Sequence, residues 1–338
     1  MSRDTIIEAL KGVQDPELSR SIVALGMVKG VQIDSGEVTI DLEIAGAAPG
    51  AREKIAGEVQ SVISSIDGVR DVQIRLSKPA AKSASFSAKQ PLPGIQHVIA
   101  VASGKGGVGK STVAVNLALS LARAGCRVGL MDGDIYGPNI PMMLGVSHES
   151  KPRVSENDKM LPIEAQGIKM ISMGLLVAPD QPMVWRGPML HGAVTQLLQK
   201  VEWGELDFLL VDLPPGTGDV QLSLVQTVPL SGAVVVTTPQ EVALADVRKG
   251  IAMFRKTEVP ILGIIENMTG SIFGSGGGEK AAAEFRIPFL GSIPLDQNIR
   301  EGGDSGNPIV AAAPESPAAA CFARAAQALT QALNPTAV

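Results

Sequence analysis

The sequence predicts an α/β fold, in which a mostly parallel sheet is covered by helices on both faces and is preceded by a small α/β domain. From His97 onward, short β-branched runs alternate with longer helical segments, an alternation typical of parallel sheets. Hydrophobic residues make up 45% of the chain, but aromatic residues make up only 3%. The core must therefore be aliphatic and rich in Ala and Gly, which favours helices packed closely on such a sheet.

The first part of the chain, residues 1–76, has the pattern of a small α/β domain. A short amphipathic helix comes first, and we expect Asp15-Pro16-Glu17 to break it. Two strands with alternating apolar residues follow, joined by a turn at Ser35-Gly36. Helical periodicity returns over residues 51–65, and a last strand over residues 69–76 closes the domain.

A change of composition marks the end of this domain. Residues 77–94 are rich in Ser, Ala, Lys and Pro and have no apolar period, which is typical of a flexible linker. The sequence therefore predicts three segments, namely the small domain over 1–76, the linker over 77–94 and a larger domain over 95–338.

The larger domain contains apolar runs that predict the strands of the parallel sheet: VIAVAS, VGLMD, FLLVDL, AVVVTT and ILGIIEN. Helical periodicity lies between them, over residues 110–124, 189–200 and 241–256. Folds of this kind bind their ligands at the carboxyl ends of the strands. Polar residues directly after these runs are therefore the candidates for a functional site.

A phosphate-binding loop follows the first of these strands. Residues 104–111 are Gly-Lys-Gly-Gly-Val-Gly-Lys-Ser and lie between a strand and a helix, the context that this motif requires. Glycines let the backbone turn its N–H groups toward phosphate oxygens, and the helix N-terminus adds partial positive charge. Lys110 is placed to reach the β- and γ-phosphates, and the Ser111 hydroxyl to bind Mg²⁺. The predicted nucleotide-binding residues here are Gly104, Lys105, Gly106, Gly107, Val108, Gly109, Lys110, Ser111 and Thr112.

Carboxylates stand at the ends of two further strands. Asp132 ends VGLMD and Asp134 follows it, so that one could support the shell of a Mg²⁺ ion and the other could orient water. Asp212 ends an apolar strand, the arrangement in which a carboxylate holds Mg²⁺ through water. Gly216 would offer its backbone N–H to a γ-phosphate, so that its loop distinguishes ATP from ADP. A plain Asp turn is the alternative at each strand end.

The full string GKGGVGKST resembles the deviant Walker A motif of the ATPase family that includes Mrp/ApbC, Min, Par and nitrogenase iron proteins. The segment DLPPGTGD is similar to switch II of the Mrp/ApbC members, and residues 132–139 correspond to switch I. The resemblance implies that Lys105 crosses a dimer interface to the nucleotide of the other subunit, and that Asp134 activates or orients water. It also implies that Asn267, in the segment ENM, pairs with the adenine edge. Turn chemistry is the alternative for that segment.

The resemblance covers nearly the whole chain, because residues 1–76 look like the small domain of iron–sulfur assembly factors. It implies ATP-dependent delivery of a [4Fe-4S] cluster to apoproteins, with the cluster bridged by a CxxC pair from each subunit. This chain departs from that pattern, since ENMTGSIFGSGGGEK has no cysteine where the family places the pair. Iron–sulfur clusters generally need thiolate ligands. Cys126 and Cys321 are the only cysteines and lie far apart in sequence, so no cluster ligands are identifiable.

Two functions remain open from the sequence. The first is an iron–sulfur cluster carrier or assembly protein that binds and slowly hydrolyses ATP, with ATP and Mg²⁺ as cofactors and a [4Fe-4S] cluster as cargo. In this mechanism Lys105, Lys110 and Asp134 are the catalytic residues. The alternative is an ATP-gated dimerisation switch that acts on a protein partner without metal cargo, which the missing CxxC pair favours.

Composition also limits the partners. The net charge is −5 with no long basic run, which argues against a nucleic-acid partner. No apolar run approaches the ~20 residues needed to cross a bilayer, and the N-terminus lacks the pattern of a secretion signal. We therefore expect a cytoplasmic protein without a membrane partner. By resemblance, it is a homodimer that works with apoprotein clients or iron–sulfur assembly factors.

Overall fold

The computed structural model describes residues 2–15, 20–34, 36–43, 49–77, 91–134, 137–176, 187–216, 221, 225 and 227–333. The chain divides into two units, Met1–Ser87 and Ala88–Val338. The predicted linker, residues 77–94, lies largely outside the described residues, and its boundaries stay a prediction.

The first unit is an α/β unit whose described elements are α1 (Arg3–Leu10), β1 (Gln14–Asp15), β2 (Arg20–Ser21), β3 (Val28–Asp34), β4 (Glu37–Glu43), α2 (Pro49–Ser64) and β5 (Asp71–Ser77). Strand β4 lies between β3, its antiparallel partner, and β5, its parallel partner, while β1 pairs with β2. An aliphatic cluster that includes Ile6, Ile40 and Ile55 joins both helices to this sheet.

One boundary in this unit differs from the prediction. Helix α1 ends at Leu10, well before the break expected at Asp15, which instead belongs to the short strand β1. The helix stops earlier because Gly12 follows its C-cap residue Lys11, and glycine is a poor helix former. Pro16 and Glu17, the other residues of the expected break, lie outside the described residues.

The second unit is centred on a sheet whose described strands are β6 (Ile95–Ser103), β7 (Val128–Asp132), β8 (Ile163–Ala165), β9 (Ile168–Ser172), β10 (Leu206–Asp212), β11 (Gly232–Thr237), β12 (Ile261–Thr269) and β13 (Phe289–Pro294). Their order across the sheet is β13-β12-β11-β6-β10-β7-β9-β8. All neighbours are parallel except β8 and β9. The predicted fold class, a mostly parallel α/β sheet after a small α/β domain, is confirmed.

Helices cover both faces of this sheet, and their described ranges are α3 (Lys110–Arg123), α4 (Ile140–Met143), α5 (Gly187–Gln199), α6 (Glu241–Lys256), α7 (Gly277–Phe285), α8 (Gln297–Asp304), α9 (Ile309–Ala312) and α10 (Pro317–Leu333). Successive residues of β6 point to opposite faces, as the period of a strand requires. Ile99 packs with Phe322 of α10 in one aliphatic cluster, whereas Val98 packs with Phe254 of α6 in the other.

Because β6, β7, β9 and β10 are neighbours and run parallel, their carboxyl ends meet at one edge of the sheet. The residues that end three of these strands are directly registered, Asp212 with Asp132 and Asp132 with Ser172. This edge holds the candidate site. No helix in the described part of the chain is long and apolar enough to cross a membrane.

Candidate functional site

The site is built around the loop between β6 and α3, residues 104–109. The Ser103 hydroxyl donates to the carbonyl oxygen of Lys105 at 2.9 Å, which tightens the start of the loop. At the end of the loop, Gly109 is the N-cap residue of α3 with a φ of 76°, a left-handed conformation that glycine adopts without strain. Gly109 has no side chain to cap the first turn of α3, and no side chain of the described residues bonds to the amides of that turn, so these amides could bind a ligand.

Two side chains from the first turn of α3 meet the carboxylate that ends β10. The Lys110 ammonium donates to Oδ1 of Asp212 at 2.7 Å, and the Ser111 hydroxyl donates to Oδ2 at 2.5 Å. Lys110 is 6% exposed and Asp212 is fully buried, so this is a buried ion pair. Burial raises the pKa of Asp212, and the Lys110 ammonium and the Ser111 hydroxyl oppose that rise.

Asp132 ends the adjacent strand β7 and is also buried. Burial, and then the neighbouring carboxylate of Asp212, raise the pKa of Asp132 to about 8. Hydrogen bonds oppose this rise, one from the Ser172 hydroxyl at 2.9 Å and one from the backbone N–H of Asp134 at 3.1 Å. Asp134 is half-buried, and its Oδ1 accepts the N–H of Gly137 at 3.3 Å.

These oxygen donors suit a small, hard cation. The Ser111 hydroxyl and the carboxylates of Asp132 and Asp212 lie at one edge of the sheet, and Mg²⁺ prefers such oxygen ligands. The side-chain oxygens of Ser111 and Asp212 are already adjacent. The residues present therefore fit a Mg²⁺ ion beside the loop.

The switch II segment begins next to the phosphate loop. The N–H of Gly216, which has a φ of 95°, donates to the carbonyl oxygen of Ser103 at 3.1 Å. The buried side chain of Gln221 donates to the carbonyl oxygen of Pro214 at 2.5 Å. Residues 217–219 of the predicted switch lie outside the described residues.

A small cavity of about 150 Å³ lies beside the loop, on the side of β12 and β13. Its lining residues include Thr112, Asn267, Met143, Leu295 and Asp296. The Asn267 side chain is almost fully buried, and its Nδ2 donates to the carbonyl oxygen of Val108 at 2.9 Å. Asn267 thus supports the phosphate loop and also faces the cavity.

The structure brings the predicted site residues together at one edge, and it adds two residues that were not predicted. Ser172 contacts Asp132, and Glu266 is a fully buried carboxylate next to Asn267. Ser172 ends β9, which pairs with β8. Strand β8 has only three residues, too few to show an apolar period, so the sequence did not predict this hairpin. Glu266 directly precedes Asn267 within ENM, and its position after an apolar run was the available signal.

The two cysteines occupy different surroundings. Cys126 is half-buried after α3, where burial, and then Asp207, raise the pKa of its thiol. Cys321 is half-buried in α10, and its sulfur accepts a hydrogen bond from Arg324 at 3.1 Å. Within the described ranges, no group of three or more His, Cys, Asp and Glu side chains is placed to hold a metal ion.

The fold and this site define a P-loop NTPase. Residues 94–330 match the family described as the NUBPL iron-transfer P-loop NTPase, and residues 3–76 match the family described as iron–sulfur cluster assembly protein. The chain belongs to the iron-transfer P-loop NTPase family and carries an iron–sulfur assembly domain in front of it.

Full-length relatives agree with this assignment. The chain is 46% identical over 332 residues to a Synechocystis protein named iron–sulfur cluster carrier protein, covering 94% of each chain. It is 48% identical over 337 residues to a protein of the same name from Deinococcus radiodurans, covering 96% of this chain and 94% of the relative.

Solved structures show the same fold for the NTPase part. A nucleotide-binding protein from Archaeoglobus fulgidus in complex with ADP is 38% identical, with a TM-score of 0.59 over 68% of this chain and 92% of that one. The septum site-determining protein MinD from Pyrococcus horikoshii, complexed with Mg-ADP, is 28% identical, with a TM-score of 0.54 over 69% of this chain and 95% of that one.

Proposed function

We propose that this chain binds and hydrolyses ATP and, as its relatives are named, carries iron–sulfur clusters, which it delivers to apoproteins. The observation that carries the ATPase part is the contact of both Lys110 and Ser111 with the buried carboxylate of Asp212, at the mouth of the phosphate loop. Family membership over nearly the whole chain supports the carrier part.

In this proposal the loop amides of residues 104–109 cradle the phosphates of ATP, and Lys110 turns from Asp212 toward the β- and γ-phosphates. Ser111 and Asp212 hold Mg²⁺, and Asp132 supports its shell through water. Bound there, Mg²⁺ neutralises the charge that develops on the phosphate oxygens. Turnover is expected to be slow, because a switch needs a long-lived ATP state.

Two further residues act on the transferred phosphate. Asp134, at the start of switch I, orients the attacking water. Lys105 lies in the loop, half-buried, and supplies a cation to the nucleotide of a second subunit. The same proposal includes the homodimer that Lys105 would complete, a cytoplasmic location, and apoprotein clients or assembly factors as partners.

Gly216 gives the site a way to sense the γ-phosphate. Its N–H donates to the Ser103 carbonyl oxygen, so it must leave that oxygen before it can donate to a phosphate. The exchange of one acceptor for another would move the start of switch II when ATP binds.

The residues of this chain do not match the cluster site that the family resemblance implies. The loop after β12, where the family places its CxxC pair, closes on itself through two backbone hydrogen bonds between Gly270 and Gly274 and contains no cysteine. A cluster carried by this chain would therefore sit on a partner, bind transiently with unusual ligands, or be held through Cys321 in an oligomer.

The cargo is tested by measuring iron and acid-labile sulfide, with a visible absorption spectrum, after anaerobic reconstitution. A stable cluster that is lost in Cys321→Ala would establish an unusual carrier, and Cys126→Ala is the matched control. If no cluster forms while Mg-ATP is hydrolysed normally, this chain holds no stable cluster of its own. That result would leave a cluster held on a partner, or the alternative of an ATP-gated dimerisation switch without metal cargo.

The role of Lys105 is tested separately. Lys105→Ala should leave ATP binding to the single subunit within about threefold, because Lys110, Ser111 and Asp212 are untouched, but it should abolish ATP-dependent dimerisation. Light scattering with and without ATP measures the dimer. Lys256→Ala, which removes an exposed lysine in the last turn of α6, is the control. Normal ATP-dependent dimerisation of Lys105→Ala would contradict the role.

A further inference from the structure

The carboxylate of Asp132 accepts backbone hydrogen bonds from both ends of switch I. Its Oδ1 accepts the backbone N–H of Asp134 at 3.1 Å, near the start of the segment, and its Oδ2 accepts the N–H of Ile140 at 3.4 Å, where α4 begins. One buried side chain therefore holds the two ends of the switch. A change in the orientation of this carboxylate would disturb both bonds.

Ser172 sets that orientation. It ends β9 directly opposite Asp132 in the parallel pair, it is fully buried, and its hydroxyl donates to Oδ2 of Asp132 at 2.9 Å. The same hydroxyl oxygen accepts the N–H of Gly174 at 3.1 Å. A serine hydroxyl donates one hydrogen bond and accepts up to two. Here its oxygen accepts from Gly174, and its single proton is donated to Asp132.

A second contact joins the same two segments. After β9 the chain makes a 3-10 turn over Met173–Leu175, capped by Ser172. A Cβ at Gly174 would lie 2.9 Å from Cγ of Pro138, so this turn packs directly against switch I. The turn therefore supports the switch both through the Ser172–Asp132 bond and through packing on Pro138.

We propose that Ser172 is a positioning residue of the nucleotide site, which holds the Asp132 carboxylate and through it keeps switch I and Asp134 in place for hydrolysis. The catalytic part of this inference rests on the proposed ATPase function. Without the hydroxyl, the longer bond from Ile140 is the one that Oδ2 of Asp132 keeps among the described residues. The Lys110–Asp212–Ser111 contacts do not involve Ser172, so nucleotide binding should be little affected.

The first test is hydrogen–deuterium exchange of the nucleotide-free protein, which does not depend on ATP hydrolysis. In Ser172→Ala, peptides covering residues 133–141 should exchange about tenfold faster than in the wild type, the change expected for losing one buried hydrogen bond. Ser172→Thr keeps the hydroxyl and should restore the wild-type rate to within about threefold. Ser120→Ala is the matched control, because Ser120 is buried in α3 and its hydroxyl has no partner among the described residues.

The second test is steady-state hydrolysis. Ser172→Ala should lower kcat about tenfold and leave KM for ATP within about twofold, because it disturbs the switch and not the phosphate loop. Faster exchange confined to residues 173–176, or an equal loss of kcat in Ser120→Ala, would overturn the proposal. If the wild type hydrolyses no ATP but exchange at 133–141 responds as expected, the proposed function fails and the positioning by Ser172 stands.

Discussion

Two glycine-rich loops of the NTPase unit share one design. Each follows a parallel strand and enters a helix, β6 into α3 through residues 104–109 and β12 into α7 through residues 270–276. Each helix has a glycine in the left-handed region as its N-cap residue, Gly109 with a φ of 76° and Gly276 with a φ of 86°. These shared features would allow either helix N-terminus to receive an anion.

The two loops differ in the side chains that lie at the N-terminus of the following helix. At α7 the buried carboxylate of Glu266 accepts the N–H of Gly276 at 3.0 Å and that of Gly278 at 2.7 Å. At α3, no carboxylate of the described residues accepts the corresponding amides, and Lys110 is buried beside them. Glycines and a helix N-terminus therefore make a phosphate site only where the protein supplies no anion of its own.

The largest effect that follows from this comparison is the loss of hydrolysis in Lys110→Ala, by at least about 100-fold, because the cation on the transferred phosphate is removed. Lys280, in the first turn of α7, is the matched control, since it is exposed and should be dispensable. Turnover is measured as phosphate release with saturating Mg-ATP. Unchanged turnover in Lys110→Ala, or an equal loss in Lys280→Ala, would contradict the assignment of the site.

Lys110→Ala also leaves Asp212 buried without its cation, which is destabilising by itself. Lys110→Arg separates the two effects, because it keeps the charge and changes the shape of the group. We expect Lys110→Arg to unfold near the wild-type temperature and to remain inactive. Circular dichroism during heating makes that comparison.

A second pair of variants compares the two N-cap glycines. A methyl group at Gly109 would overlap the side-chain amide of Asn267, whereas nothing lies within 4 Å of the same position at Gly276. Both substitutions carry the cost of a left-handed alanine, about 1 kcal/mol. Only Gly109→Ala should displace Asn267 from the loop and weaken ATP binding, by about tenfold or more.

Titration with a fluorescent ATP analogue measures this binding, and urea unfolding measures the stability of both variants. Gly276→Ala should bind the analogue like the wild type. If Gly276→Ala weakened binding as much as Gly109→Ala, the loop after β12 would have to take part in the nucleotide site, and the contrast between the two loops would be wrong.

Much of the fold followed from local patterns. The strand-loop-helix context of Lys110 and the strand ending in Asp212 are short-range features, so the sequence predicted both elements and the parallel edge where they meet. The β8–β9 hairpin was not predicted, because β8 has only three residues and pairs with β9 through a tight turn. Without that hairpin, the contact of Ser172 with Asp132 could not be foreseen.

The role of the second glycine-rich loop, residues 270–276, could not be predicted from the sequence either. ENMTGSIFGSGGGEK shows the glycines but does not show that Glu266 turns back to bind the amides of Gly276 and Gly278. That carboxylate lies ten or more positions before its partners, and only the packing of α7 on β12 brings them together. The same holds for Asn267, whose bond to Val108 joins residues far apart in the chain.

The smallest effect concerns Glu266 itself. Glu266→Gln removes the charge and replaces one accepting oxygen by an NH₂ group, so one of the two amides loses its acceptor, at a cost of about 1–3 kcal/mol in the free energy of unfolding. Glu279→Gln is the matched control, because Glu279 is exposed in the first turn of α7 and contributes less than about 1 kcal/mol. Urea unfolding followed by circular dichroism compares the two, and ATP turnover should stay within about twofold in both. Equal stability of the two variants would mean that the Glu266 carboxylate does not hold the N-terminus of α7. The reason proposed for a phosphate site at the loop before α3, and not at the loop before α7, would fail with it.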